Sequence, residues 1–385
     1  MLLPLPMLVL PLLMYQLVFI LPVAAASDGG GFAAWARLHG RAYGDAALEA
    51  RARANFAATE RRIAEHNRLG LSWRMGHTPF SDLSDGEFEA RLGGSKRGRG
   101  RAAAGATPVT TAAAAPAPAP AAIDWVSAGK VTPIKDQGHC GACWSFATAA
   151  AVESSFAIAS DTLESLSPQD LISCMSKGSP LNNASEDGFA CGCSGGDPDA
   201  AFRWIRRNGL GTWQRRPYTP STQSCDGMYN LSRANCNCNE QGTPACPATP
   251  ACPDACPATQ RRPAVTVEGY ERLDTSHPIE NSTMLREVSR APLVALVDCE
   301  AKAFKNYRSG IISTCAASEG LHNHVIVVVG FGTEDGMDYW TVKNSFGKTW
   351  GEEGYVRIQR GHNMCGLGSE LYAVRGASKW TGETN

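Results

Sequence analysis

Apolar residues follow a helical spacing in one part of this chain of 385 residues and form short, nearly continuous runs in another. Three segments with apolar residues three or four positions apart predict helices. They span residues 143–160, 167–173 and 198–208. Further along the chain, four short runs rich in Val, Ile and Tyr predict strands. They span residues 292–298, 325–330, 339–343 and 355–360. Helices followed by strands predict an α+β fold.

The N-terminal segment is almost wholly apolar and ends in Ala24-Ala25-Ala26, which predicts a signal peptide over residues 1–26. No Lys or Arg precedes its apolar core, so an uncleaved membrane anchor is the alternative. Four prolines within the segment disfavour the long helix that such an anchor needs.

Three further regions follow from the composition. Residues 27–92 contain a charged helix with one regular face, and we expect them to form a separate domain. Residues 93–118 are rich in Gly and Arg and then alternate Ala with Pro, which predicts a linker that is open to cleavage. Residues 119–385 form the last predicted domain, and maturation is expected near Ala119.

The two parts of the chain carry opposite net charges. Residues 27–118 hold 13 Lys/Arg and 9 Asp/Glu, a net of +4, whereas residues 119–385 hold 23 Lys/Arg and 28 Asp/Glu, a net of −5. Opposite charges favour docking of the two parts at neutral pH. We expect acid to protonate carboxylates and to weaken this docking.

A candidate catalytic centre lies in the run KDQGHCGACWSF, residues 135–146. Cys143 begins the first predicted helix, whose amide groups and dipole favour a thiolate, the nucleophilic form of cysteine. The Gln137 side-chain amide and the Cys143 backbone N–H could together hold an oxyanion. An imidazole and its orienting partner are available later in the chain, at His324 and Asn344.

The five residues Cys140-Gly141-Ala142-Cys143-Trp144 fit the signature C-G-[SA]-C-[WY], and the chain resembles the papain-like cysteine proteases of the cathepsin L and cruzipain type. The resemblance implies a two-lobe papain fold, with Cys143 on a helical lobe and His324 on a barrel-like lobe. It makes Cys143 the nucleophile and His324 the acid and base. Asn344 then orients the imidazole, and Gln137 donates to the oxyanion.

The resemblance also implies substrate-binding positions. Gly195 and Gly196 match a backbone ledge that pairs with the substrate chain, and Trp350 matches an aromatic that shields the His–Asn hydrogen bond. Phe346 stands where the family usually has Trp, and Asn323 stands where many relatives have Asp. These two departures leave the four catalytic positions intact.

Glu370 lies five residues after Cys365 and matches a residue of the second specificity pocket, S2. The resemblance implies that Glu370 pairs with a substrate Arg while apolar walls accept Phe or Leu; a surface glutamate is the alternative.

His322 is the alternative candidate for the base. His324 is favoured because it begins a buried-strand pattern, which would hold its ring rigidly. His324 lies 181 residues after Cys143, further than the family's usual ~130–150, and insertions account for the difference.

The helix within residues 27–92 carries the E-R-F-N-I-N pattern of the family's inhibitory propeptides, with Thr59 in place of the first Asn. The pattern comprises Glu49, Arg53, Phe56, Thr59, Ile63 and Asn67. The second propeptide motif follows at Gly76, Phe80 and Asp82, with Thr78 in place of Asn. The resemblance therefore implies a helical inhibitory prodomain that crosses the catalytic cleft in the reverse direction and is not cut.

Fourteen cysteines after a signal segment indicate an oxidising compartment. Family positions imply three disulfides, Cys140–Cys193, Cys174–Cys225 and Cys315–Cys365. If Cys143 stays reduced, seven cysteines remain, and Cys299 is the one expected to keep its thiol.

The insert at residues 226–263 is rich in Cys and Pro and poor in large apolar residues, so disulfides are expected to hold it. A zinc site is the alternative, although the insert contains no histidine. Its position resembles the occluding loop of cathepsin B, which makes that enzyme a carboxydipeptidase. The missing histidines favour an endopeptidase, and a surface insertion without catalytic effect is a further alternative.

The sequence thus predicts a cysteine endopeptidase made as a zymogen in the secretory pathway, destined for a lysosome-like acidic compartment or the exterior. Its expected partners are protein or peptide substrates and its own propeptide. We expect a monomer without metal, cofactor or nucleic acid. Asn183, Asn230 and Asn281 are candidate glycosylation sites. A catalytically inactive binding protein is the alternative from another class, and the intact catalytic positions argue against it.

Overall fold

The computed structural model describes residues 30–92, 120–175, 192–219, 261–273, 281–299, 301–315 and 322–382, together with the single residues 179, 181, 190 and 256. The predicted signal peptide, the predicted linker and most of the Cys-rich insert lie outside the described residues. In the part that is described, no helix is both long enough and apolar enough to cross a bilayer.

The chain divides into two compact units, residues 1–43 and residues 44–385. The first unit contains helix α1, Gly30–Leu38. Its Phe32 ring lies 5.9 Å from the Trp35 ring and 5.8 Å from the Tyr43 ring, between ring centroids. These aromatic contacts hold the helix against the segment that follows it.

The second unit opens with helix α2, Ala46–Arg68, which begins where the Asp45 carboxylate accepts a hydrogen bond from the Leu48 N–H. The face predicted from the sequence is confirmed: Phe56 and Thr59 are buried, and Asn67 bonds both the N–H and the C=O of Met75. Strand β1, Trp73–Met75, and helix α3, Asp85–Glu89, complete this segment.

Three helices form the helical lobe, and they match the predicted ones to within one residue at each end. They are α4, Cys143–Ser160; α5, Pro168–Cys174; and α6, Pro198–Asn208. Helix α4 is apolar on nearly every side and is buried along most of its length. Proline at the first position of α5 and of α6 suits a helix start, because the missing N–H has no partner in the helix there.

The remaining elements build one sheet and two helices. The strands are β2, Ile123–Asp124; β3, Leu210–Gly211; β4, Pro263–Leu273; β5, Leu293–Val297; β6, Tyr307–Ile312; β7, His324–Glu334; β8, Met337–Lys343; β9, Tyr355–Gln359; and β10, Leu371–Lys379. The helices are α7, Asn281–Arg290, and α8, Ala301–Asn306. Among the described residues the strand order is β1-β6-β9-β8-β7-β5-β10-β4-β3, with β2 paired to β7. The expected α+β arrangement is confirmed.

Strand β7 is central because both of its faces are buried over most of its length. Val325, Val327 and Val329 join the core that contains helix α4, whereas Ile326 and Val328 join the core beneath α3 and α8. Alternation of side chains along a strand explains this division. The first residue of β7 is His324, so the candidate base lies at the edge of the packed region.

Two of the three predicted disulfides are confirmed, Cys140–Cys193 and Cys315–Cys365. The pairing of Cys174 with Cys225 is wrong, because Cys174 bonds Cys256, with 4.7 Å between the Cα atoms. The physical reason is the path of the chain at the end of the insert. The Arg261 guanidinium bonds the Asp170 carboxylate of α5 at 3.1 Å, which brings the end of the insert beside α5.

Candidate active site

Cys143 is held at the start of helix α4 by the turn before it. The Cys140–Cys193 disulfide and a 2.9 Å hydrogen bond from the Gly141 N–H to the Cys193 C=O fix that turn. Cys143 is fully buried and lies outside the disulfides. Its backbone N–H belongs to the first turn, where helical N–H groups have no acceptor within the helix.

The side chain next to the nucleophile packs against the candidate ledge. A Cβ atom on Gly196 would lie 2.5 Å from the Trp144 ring, closer than atoms can approach. Glycine is therefore required at position 196. The contact places Gly195 and Gly196 beside the start of α4.

The imidazole of His324 is paired with Asn344. Its Nε2 lies 2.9 Å from Asn344 Oδ1, and the Ser345 N–H donates to the same oxygen at 2.8 Å. Because Oδ1 is an acceptor, Nε2 must carry the proton of a neutral imidazole. The lone pair then lies on Nδ1, which is buried and has no hydrogen-bond partner among the described residues. His324 therefore presents a basic nitrogen on the side away from Asn344.

Aromatic rings enclose this pair. The Phe346 ring stacks on His324 with 4.7 Å between centroids, and Trp350 meets the edge of Phe346 at 5.4 Å. Trp350 is itself fixed by a 2.8 Å hydrogen bond from its indole N–H to the Phe304 C=O. Burial lowers the pKa of His324 to about 4, although the Asn344 hydrogen bond opposes the shift. The imidazole is thus neutral in this form of the protein.

Gln137 presents a fixed amide at the same site. Its Nε2 donates to the Cys140 C=O at 2.9 Å, and its Oε1 accepts from the Ser345 hydroxyl. Ser345 therefore orients both Gln137 and Asn344. The sequence reasoning did not assign Ser345 a role, although it follows Asn344 directly in the candidate segment.

A buried group of charges supports strand β8, which ends at Lys343, directly before Asn344. The Lys343 ammonium donates to the backbone and side-chain oxygens of Thr132 at 2.7 and 3.0 Å. Thr132 and Lys135 both bond the Glu153 carboxylate of α4. Burial lowers the pKa of Lys343 to about 8, while the Glu153 charge opposes that shift. The group links α4 to β8 behind the site.

Residues 44–92 cover the site. The second hydrogen of the Gln137 amide points to the Arg91 C=O, with 3.4 Å between nitrogen and oxygen. The rings of Phe80 and Phe88 meet Phe346 edge-on at 5.0 and 5.9 Å. A peptide carbonyl of this segment therefore accepts a hydrogen bond from the Gln137 amide, the group that the sequence predicts as the oxyanion donor.

The same segment is anchored on α8 and β6. Strand β1 pairs antiparallel with β6, and the Thr78 hydroxyl donates to the Lys305 C=O at 2.6 Å. The buried Lys305 ammonium bonds the Leu83 C=O and, at 3.1 Å, the Asp85 carboxylate. Thr78, which replaces the usual Asn of the motif, thus makes a direct contact with the domain that follows.

Asn323 and His322 have contacts of their own. The Asn323 side-chain oxygen accepts a 2.7 Å hydrogen bond from the Cys299 N–H, so it shapes the loop beside the site. His322 Nδ1 lies 3.6 Å from the Glu370 carboxylate. His324, not its rival His322, contacts Asn344. Cys299 keeps a buried thiol as predicted, and burial, together with the charge of Cys143, raises its pKa.

Glu370 is surrounded by partners from its own chain. The Arg272 guanidinium lies 3.3 Å from its carboxylate, and the Tyr372 hydroxyl donates to it. Burial alone would raise the pKa of Glu370, but the bonds from His322 and Tyr372 and the Arg272 charge lower it. The carboxylate is therefore ionised and paired.

Four candidate positions outside the catalytic centre have side chains that the structure does not describe. Asn183, Asn230 and Cys225 lie outside the described residues. Asn281 begins helix α7, but its side chain is not described.

Known proteins share this architecture. The profile of the papain family cysteine proteases matches residues 119–375, and that of the cathepsin propeptide inhibitor domain (I29) matches residues 32–88. The probable cysteine protease RDL4 of Arabidopsis thaliana is 34% identical over 343 residues, which cover 87% of this chain and 81% of the relative. The oryzain gamma chain of Oryza sativa subsp. japonica is 32% identical over 349 residues, covering 88% and 82%.

Solved proform structures are also similar. Digestive procathepsin L 3 from the larval midgut of Tenebrio molitor shares 30% identity at a TM-score of 0.69, covering 89% of this chain and 97% of its own. The recombinant stem bromelain precursor shares 28% identity at a TM-score of 0.69, covering 90% and 97%. Both similarities extend over the propeptide as well as the catalytic part. The two family matches and these relatives show that this chain belongs to the papain family of cysteine proteases and is a zymogen that carries an I29 propeptide.

Proposed function

We propose that the protein is an endopeptidase that uses Cys143, His324 and Asn344 as its catalytic triad, with Gln137 as oxyanion donor. The observation that carries the proposal is the state of His324. Its Nε2 is committed to Asn344, which leaves Nδ1 as the basic nitrogen in an otherwise enclosed site. A general base must offer a lone pair toward the proton that it removes.

The first half of the reaction forms an acyl-enzyme. His324 Nδ1 takes the Cys143 thiol proton, and the thiolate attacks the carbonyl carbon of the scissile bond. Negative charge develops on the carbonyl oxygen, where the Gln137 amide and the Cys143 N–H donate to it. When the tetrahedral intermediate collapses, the C–N bond breaks and the imidazolium gives its proton to the leaving amine. The product is a thioester on Cys143.

The second half reverses these roles with water as the nucleophile. His324 takes a proton from water, and the resulting hydroxide attacks the thioester carbonyl. The same two donors stabilise the second oxyanion, and the thiol leaves with the proton from the imidazolium. Asn344 keeps the ring oriented through both halves, because its oxygen bonds the protonated Nε2 in either charge state of the ring.

The propeptide supports this assignment because it places a carbonyl, that of Arg91, on the Gln137 amide. We propose that cleavage between residues 93 and 118, with a mature start near Ala119, releases this segment. The proposed setting is the secretory pathway, ending in an acidic compartment or outside the cell. The signal peptide at residues 1–26 belongs to the same proposal.

The test uses acid-matured protein in reductant and two peptides that share a Phe-Arg sequence. One peptide has a blocked C-terminus and an internal scissile bond, and the other has a free C-terminus. Internal cleavage that is absent from a Cys143→Ala variant is the expected result. Release of a dipeptide from the free end alone would instead indicate a carboxydipeptidase. If neither peptide is cleaved, the catalytic proposal is wrong.

A further inference from the structure

A closed cluster of charged and polar groups surrounds Glu370. Glu370 immediately precedes strand β10, whose Tyr372 pairs in register with Arg272 of β4. This register brings the Arg272 guanidinium to 3.3 Å from one carboxylate oxygen, to which the Tyr372 hydroxyl also donates. His322 Nδ1 lies 3.6 Å from the other oxygen. Both oxygens of Glu370 thus have partners on neighbouring strands and loops.

The chain connects the cluster both to the proposed catalytic histidine and to the candidate ledge. His322 is two residues before His324, which ties one side of the cluster to the active site. Asp197 directly follows the ledge residues Gly195 and Gly196, and its charge acts on both Arg272 and Tyr372. The cluster is therefore linked to both of the proposed features that would hold a substrate.

Burial makes the pairing strong. The Glu370 side chain is 20% exposed and the Arg272 side chain 27%, so water screens their attraction only in part. A substrate cation that approached Glu370 would meet a carboxylate already neutralised by Arg272. It would also experience repulsion from the Arg272 guanidinium at close range. An apolar side chain would pay no such electrostatic cost.

We propose that Arg272 is a specificity-determining residue, which neutralises Glu370 so that the adjoining pocket selects apolar substrate side chains and rejects arginine and lysine. The inference rests on the proposed peptidase function and on the assignment of Glu370 to the pocket for the second residue before the scissile bond. It revises the expectation that Glu370 recognises a substrate arginine directly. Recognition of that kind requires the removal of Arg272.

The test compares three peptides with an internal scissile bond that differ only at the second residue before it, which is Phe, Arg or citrulline. Citrulline has the shape of arginine without its charge, so the ratio of kcat/KM for the Arg and citrulline peptides isolates the charge effect. For the matured wild-type enzyme we expect the Arg peptide to be cleaved more slowly than the citrulline peptide. In Arg272→Gln we expect that ratio to rise about tenfold.

Three control variants sharpen the result. Arg272→Lys retains the positive charge and should keep the wild-type ratio. The double variant Arg272→Gln/Glu370→Gln should lose the gain, because the Glu370 carboxylate is no longer present to attract arginine. Arg375→Gln removes a guanidinium that pairs with Glu271 at 2.7 Å across the same two strands, and it should leave the ratio unchanged.

The outcomes separate the two proposals. An active Arg272→Gln enzyme with the wild-type ratio of Arg to citrulline would overturn the role of Arg272 alone. Faster cleavage of the Arg peptide than of the citrulline peptide by the wild-type enzyme would do the same, and this comparison needs no variant. Absence of Cys143-dependent cleavage of the Phe peptide would overturn the peptidase proposal and this inference with it.

Discussion

The Nε2 atom of His324 lies 2.9 Å from Oδ1 of Asn344, and the backbone N–H of Ser345 holds that oxygen in place from the other side. The asparagine therefore has a defined orientation before any substrate binds. This arrangement fixes both the tautomer and the plane of the imidazole. Loss of the amide should affect the chemical step more than substrate binding.

We expect Asn344→Ala to lower kcat by roughly 100-fold, because a small misplacement of a catalytic group costs about that much. KM for a peptide substrate should change little, since the Asn344 side chain is buried and bonds His324. Steady-state kinetics of the matured variant measure both constants. Asn344→Asp keeps an oxygen acceptor and should retain more activity than the alanine variant. Wild-type kcat in Asn344→Ala would contradict the orienting role.

The buried state of His324 predicts an unusual titration in the zymogen. Burial lowers the pKa of this imidazole to about 4, so the ring stays neutral at pH 5 and above. In the unfolded chain the imidazole has its ordinary pKa near 6.5, so it binds a proton below that pH. The contribution of this group to the free energy of unfolding is therefore fully present above pH 6.5 and is lost as the pH falls toward 4.

Histidine side-chain NMR on the Cys143→Ala zymogen can follow this titration. The His324 signal, assigned by its loss in a His324→Gln variant, should titrate near pH 4. The pKa obtained from the same resonance should rise after the propeptide is removed, because the site then admits water. A His324 signal that titrates near its ordinary value in the intact zymogen would disprove the inferred burial effect.

The proposed catalytic residues could be identified from the sequence because short segments carry them. Gln137 and Cys143 lie within one run of residues, and the Ala-rich pattern that follows marks the helix start at Cys143. Strands β4 and β10, by contrast, could not be recognised from the sequence pattern. Gly269 and Gly376 interrupt them, and glycine in the middle of a strand weakens the pattern from which strands are recognised.

Two other long-range pairings could not be predicted, for a different reason. Cys174 and Cys256 are 82 residues apart, and their meeting depends on how the insert returns past α5. The pairing of Arg272 with Glu370 likewise depends on the register between β4 and β10, which many contacts along both strands determine. The sequence around each residue of such a pair does not indicate which partner it will contact.

The propeptide anchor at Asp85 yields a prediction about maturation. The Asp85 carboxylate bonds Arg62 within the propeptide at 2.8 Å and Lys305 of the protease domain at 3.1 Å. In Asp85→Asn the buried Lys305 ammonium loses its charged partner, and we expect autocatalytic maturation to be roughly tenfold faster. The rate of conversion at pH 6, followed on denaturing gels, measures this effect.

The matured enzyme provides the control, since position 85 is removed with the propeptide. Its kcat/KM should be identical whether it derives from wild type or from Asp85→Asn. Burial would raise the pKa of Asp85, but the Arg62 and Lys305 contacts outweigh it and lower that pKa below its ordinary 3.8. Its anchoring is thus intact above pH 3.8 and is lost only as the pH falls below that value. An unchanged maturation rate would show that the anchor contributes nothing.

His66 is better placed than Asp85 to respond to mild acid. Its Nε2 lies 3.2 Å from the Trp73 C=O, and Trp73 belongs to the strand that pairs with β6. Burial lowers the pKa of His66 below 6.5, although the bond to Trp73 opposes the shift. The packing that this neutral ring supports is therefore complete above pH 6.5 and weakens as the pH falls below it.

We expect His66→Gln, which keeps a hydrogen-bond donor but cannot gain a proton, to make maturation at pH 5.5 several-fold slower while leaving the rate at pH 7 almost unchanged. The exposed His362 provides a matched control, and His362→Gln should mature with the wild-type pH profile. Conversion rates measured from pH 4 to pH 7 give both profiles. Because the Asp85 anchor persists down to pH 3.8, a wild-type profile for His66→Gln would assign the acid response to other groups in the propeptide interface.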